Sequence, residues 1–189
     1  MAQYFYEEKN DIWVTTWNKL YNLSFLREFH IHFLEHVYHE DIVMHAMLAL
    51  NTRSFTLTSQ TTYLYNCKRE DSITNMEQGY TLKHLNDLTI VFSEIRRLIQ
   101  ADNNLSKHLQ KEINLYYLFE IYHRYLPAMY SNIKRVDLIK GLARLSQNCL
   151  PPILETRLTF KSIKRFLFLK LPFNIQYLIK SHKYKKSRV

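Results

Sequence analysis

The chain has 189 residues, 47% of them hydrophobic, which is enough for a packed core and too much for a disordered chain. Its only glycines are Gly79 and Gly141, so no glycine-rich phosphate loop can be assembled from it. The net charge of +9 sits at one end: ten Lys and Arg and no acid lie between Arg157 and Val189, and the first 156 residues hold 16 bases against 17 acids.

Residues 1–16 start aromatic and acidic and turn apolar at Ile12, Trp13 and Val14, as a loop or short helix does. Trp17, Leu20, Tyr21 and Ser24 follow helical spacing and predict a helix within 15–27. Core packing is the plainer role for Trp17 and Tyr21. His30-Ile31-His32-Phe33 alternates as a short strand does. Glu40-Asp41 then opens an apolar helical run through Ile42, Val43, Met44, Met47, Leu48 and Leu50. Acids in a first turn suit the positive end of a helix. Asp41 is therefore either helix-start electrostatics or a residue held at the mouth of a site by the helix behind it. Phe55–Thr58 and Tyr63–Tyr65 favour strands, with a loop over 59–62. A charged loop follows at Lys68-Arg69-Glu70-Asp71, and Ser72 or Thr74 can cap what comes next.

From about Gln78 the pattern is helical. Leu82, Leu85, Leu88, Phe92, Ile95 and Ile99 form one stripe, broken by Asp102-Asn103-Asn104. A second helix runs from Leu105 to Tyr125, with Leu109, Ile113, Tyr116, Tyr117 and Phe119 to Ile121 inside and Pro127 ending or kinking it. A third runs from about Asn132 to Ser146 on Val136, Ile139, Leu142 and Leu145. Pro151-Pro152 marks a boundary. In 153–180, apolar Phe160, Ile163, Phe166, Leu167 and Leu169 interleave with Lys161, Lys164, Arg165 and Lys170. The expected organisation is 1–77, a helical subdomain over 78–150, and a basic amphipathic tail over 151–189. No repeat, signal peptide or bilayer-length apolar run is visible.

Five of the nine histidines lie between His30 and His45. Asp41 and His45 have an i,i+4 spacing that can converge on a metal, but no H-E-x-x-H occurs, and surface or core histidines are the weightier reading. There is no D-x-D, no C-x-x-C and no nucleophile–histidine motif; Cys67 and Cys149 are far apart.

Trp17-x-Lys19-Leu20-Tyr21, Phe25-Leu26, Phe33, Glu40-Asp41, the paired strand signals and Arg69-x-x-Ser72-Ile73 occur in an order that resembles the second half of bacterial family 2 glycosyltransferases of the GT-A type. The likeness covers about residues 13–75. It implies a chain that is mainly α with a small β component at 30–67: the C-terminal part of a GT-A-like α/β enzyme, followed by a helical region. It implies sugar transfer with inversion, from a nucleotide-sugar donor to a glycan or lipid-linked acceptor, in capsule, lipopolysaccharide or exopolysaccharide synthesis. By the same likeness Asp41 is the catalytic base, Glu40 its positioning neighbour, and Trp17, Lys19, Lys68, Arg69 and Ser72 contact substrate. Cys67 stands where the family usually has its first arginine.

The family's donor-binding half and its D-x-D lie outside this pattern. The expected chain is thus an acceptor-side portion that holds no cofactor itself, with Mg or Mn belonging to the complete enzyme and a separate chain able to supply the donor half. The expected location is cytoplasmic, on the inner face of the bacterial inner membrane. The tail leaves three roles open: a helix on the anionic leaflet, a core-packing helix with a solvated basic face, or a nucleic-acid patch. The near-neutral first 156 residues speak against nucleic acid. The rival function is a non-catalytic, membrane-associated helical interaction protein.

Overall fold

The computed structural model describes residues 1–8, 14–64 and 80–186, with side chains described to Lys180. Those residues are mainly helical, and no strand forms among them. After a π-helical turn at Gln3–Glu7 come α1 (Leu23–Glu28), α2 (Glu40–Asn51), α3 (Leu82–Ala101), α4 (Lys107–Met129) and α5 (Arg135–Asn148). A 3-10 turn at Ile153–Glu155 leads to α6 (Phe160–Lys170) and α7 (Phe173–Lys186).

Local signals explain most of these boundaries. The Asn22 side chain caps α1 by accepting from the Ser24 and Phe25 amides, so Trp17 and Leu20 fall before the helix rather than in it. The Thr81 hydroxyl accepts from the His84 amide at the start of α3, and Ser106 does the same for Leu109 in α4. The Asp102 carboxylate accepts from the Asn104 amide at 2.9 Å, which turns the chain out of α3. Pro127 sits inside the last turn of α4 and the helix continues to Met129; the proline removes one amide donor without ending the helix.

One continuous core draws on every part of the described chain from Ala2 to Leu169. α2 is buried along nearly its whole length, from Ile42 to Ala49. The α3 stripe is buried from Leu85 through Leu88, Phe92, Ile95 and Ile99, whereas Leu82 is exposed. In α5 the inner face is Leu138, Gly141, Leu142 and Leu145, and the expected member Val136 is solvent-facing. A Cβ at Gly141 would overlap the Leu85 side chain, so glycine sets how closely α3 and α5 approach. The N-terminal turn closes the core from the other side: Tyr6 is buried, its hydroxyl 2.7 Å from that of Tyr117, and the Met1 ammonium donates to the Thr52 carbonyl at the end of α2.

The expected strands are corrected. At residues 30–33 the backbone is committed to ending α1: the His30 amide donates to Arg27 and the Ile31 amide to Leu26, so no ladder is available to them. Residues 53–64 are irregular. Their β-favouring aromatics are used one at a time, Phe55 against Tyr4 and Tyr63 against Trp17, and among the described residues no neighbouring strand lies alongside to pair with. Tyr65 and Cys67 lie outside the described residues. Among the described residues, no helix is long and apolar enough to cross a membrane.

Candidate functional site

The histidine density has a backbone cause. With glycine so scarce, the tight turns before α2 use histidine instead: His30, His36 and His39 all adopt positive φ, at 50°, 60° and 66°. Histidine tolerates the left-handed region better than most side chains. The His32 Nδ1 lies 2.6 Å from the His30 carbonyl, and His45 is buried in α2. Among the described residues no group of three or more His, Cys, Asp or Glu converges as a metal site.

The turn at His39 delivers Glu40 and Asp41 to the first turn of α2. Asp41 is half-buried. Burial pushes its carboxyl above the ordinary range and the adjacent Glu40 charge adds to this, while the Arg124 charge and the amides of Ile42 and Asp41 pull it partly back. Lys19, in the loop before α1, lies within electrostatic reach of this carboxylate: burial lowers its ammonium and the Asp41 charge raises it. The Lys19 ammonium also donates to the Thr15 carbonyl and to Asn18 Oδ1. One turn further along α2, burial and the Lys19 charge push the His45 imidazole down to about 4. Its ring meets Phe5 edge to face at 4.5 Å, and neither ring nitrogen has a hydrogen-bond partner among the described residues.

Two side chains of α4 complete the cluster. Arg124 pairs with Glu120 at 3.2 Å, one turn apart, and its charge acts on Asp41 and on His39. Burial, with Arg124 and His84 adding to it, holds the His39 imidazole near 4. α3 contributes Asp87, which accepts from the Tyr38 amide at 3.0 Å and from Lys83. Tyr38 in turn stacks flat on His84, with ring centroids 4.1 Å apart.

Trp17 is not a core residue. It is partly exposed and packs on Tyr63 with ring centroids 4.3 Å apart. That pair joins the segment around Lys19 to the segment that leads toward Lys68, Arg69 and Ser72, and those three lie outside the described residues. The structure therefore brings Lys19, Glu40 and Asp41 to one helix mouth, with the Trp17–Tyr63 pair adjoining. The sequence reading missed Arg124 and Glu120. Their i,i+4 spacing in α4 was the available signal, but nothing in the sequence indicated which element they would face.

Two open depressions are described elsewhere. One of about 420 Å³ is lined by Tyr80 to Leu82, Asn132 to Lys134 and Asp137. The other, about 470 Å³, is lined by Leu23, Leu26, Arg27 and His30 to His32. Neither is lined by Asp41. Comparison of the chain with protein-family models, curated proteins and solved structures gave no match.

Proposed function

We propose that the chain carries the acceptor-side portion of a family 2-like, GT-A-type glycosyltransferase of surface polysaccharide synthesis, with Asp41 as general base. The observation that carries this reading is the placement of Asp41: a half-buried carboxylate with a raised pKa at the mouth of a buried helix, beside Lys19. A carboxylate shifted upward in this way is a better proton acceptor than one in water.

In the proposed step Asp41 takes the proton from the acceptor hydroxyl as that oxygen bonds to the anomeric carbon of the donor sugar. The bond from that carbon to the nucleotide phosphate breaks on the opposite face, and its electron pair leaves with the phosphate, so the configuration inverts. Glu40 holds the Asp41 carboxyl in its shifted state, Lys19 balances negative charge, and the exposed Trp17–Tyr63 pair offers an apolar face to a sugar ring. Lys68, Arg69 and Ser72 keep their substrate-contact roles as part of the proposal. The Mg or Mn implied by the resemblance finds no fitting donor set among the described residues.

In the enzyme completed with a donor-binding half, Asp41→Asn should lower kcat by about 10²–10⁴-fold and leave the acceptor KM nearly unchanged. Turnover close to that of the unaltered enzyme would sink the assignment. A second reading, a non-catalytic membrane-associated protein, is favoured by the exposed Phe160, Ile163 and Leu167 beside the exposed Lys161 and Lys164. Transfer that depends on Asp41 would exclude it.

A further inference from the structure

α6 carries apolar side chains on two faces. An ordinary surface helix turns one apolar stripe to the core and its polar face to water. Here Phe168 and Leu169 are buried in the core together with Ser162, and the Arg165 guanidinium stacks over the Phe119 ring at 3.8 Å. In α7 the inward residue Gln176 is buried, accepting from the Tyr125 hydroxyl and donating to the Phe168 carbonyl at 2.9 Å. Lys180 donates to the Tyr122 hydroxyl. The solvent side also carries apolar residues. Phe160, Ile163 and Leu167 are spaced three and four apart on one face of α6, and Phe160 is 83% exposed. The exposed Leu154 and Leu158 precede this face in the chain.

Charge selects what covers this face. Lys161, Lys164 and Lys170 are exposed around it, and no acid occurs anywhere from Arg157 to Val189. A second copy docked through the same face would bring Lys161, Lys164 and Lys170 against their own counterparts, with no acid to offset them. A nucleic acid would satisfy the lysines but leave Phe160 and Leu167 in water. An anionic lipid surface satisfies both, with headgroups meeting the lysines and the acyl boundary taking the apolar side chains. The helices suit lying in that plane, because at 11 and 14 residues they fall short of the ~20 needed to span a bilayer.

We infer that the outer face of α6 docks on an anionic membrane surface, in plane, through Phe160, Ile163 and Leu167 flanked by Lys161 and Lys164. This does not rest on the transferase reading, and its test needs no activity. The purified chain is floated with vesicles of 30% phosphatidylglycerol in phosphatidylcholine and with pure phosphatidylcholine vesicles, at low and high salt. Binding to the anionic vesicles should exceed binding to the neutral ones by about tenfold or more and weaken as salt rises.

The pair Phe160→Ser and Leu167→Ser should lower vesicle binding about tenfold or more. The pair Lys161→Gln and Lys164→Gln should lower it by roughly fivefold per lysine. All four side chains are exposed, so both variants should keep the thermal unfolding of the original chain. Equal binding to neutral and anionic vesicles overturns the inference, as does binding untouched by the Phe160/Leu167 pair. Self-association that this pair abolishes, or tighter binding to duplex DNA than to vesicles at the same salt, also overturns it.

Discussion

Replacing His45 by leucine tests the buried cluster at the mouth of α2. The imidazole ordinarily titrates at 6.5, and burial with the nearby Lys19 charge holds it near 4 in the folded chain. The folded value lies below the unfolded one, so the unfolded chain binds more protons between these limits. Stability is then fully present above about pH 6.5 and is lost as the pH falls toward 4. At pH 5 the unfolded residue is almost fully protonated and the folded one almost neutral, which costs about 2 kcal/mol, against nearly nothing at pH 7.5. His39, held near 4 for similar reasons, adds a loss of the same sign. The raised carboxyl of Asp41 binds its proton more tightly when folded and works in the opposite direction at acid pH. Comparing the chain with His45→Leu removes both of these contributions. Urea unfolding at pH 7.5 and pH 5 should show the unaltered chain losing about 2 kcal/mol more than the variant. A variant that loses as much as the unaltered chain would refute the burial of a neutral His45.

Two further substitutions probe the packing. Gly141→Ala gains about 1 kcal/mol of helix propensity, but its Cβ overlaps Leu85, and overpacking costs about 1–3 kcal/mol. The expected outcome is a lower Tm, and a rise would show that α3 and α5 separate without cost. Arg157→Met strands the Glu112 carboxylate, which is buried and accepts from Arg157 at 3.0 Å. With Arg157 itself half-exposed, a loss of roughly 2–3 kcal/mol is expected in urea unfolding. Adding Glu112→Gln should recover most of it, because the buried charge is then gone.

The existence of α2 to α5 was legible in the sequence, with boundaries off by a few residues. Ser106, Thr81, Asp102 and the apolar spacing of α2 to α5 act within a few residues of one another, and interactions of that range can be read in order along the chain. The same local reading placed Glu40 and Asp41 in a first turn. It failed where the outcome depends on a distant partner. The segments at 30–33, 55–58 and 63–65 match a strand pattern, but a strand exists only when a second one supplies its hydrogen bonds, and among the described residues none lies beside them. The Arg124 charge acts on Asp41 across more than eighty residues of chain, which likewise depended on the tertiary structure. The tail shows the division most plainly. Its mixture of lysines and large apolar side chains was evident from the sequence, but the sequence left open which side would face the core. Phe168 and Leu169 pack into the core beside the Arg165–Phe119 stack and the buried Gln176, and Phe160 and Leu167 of the same helix face out.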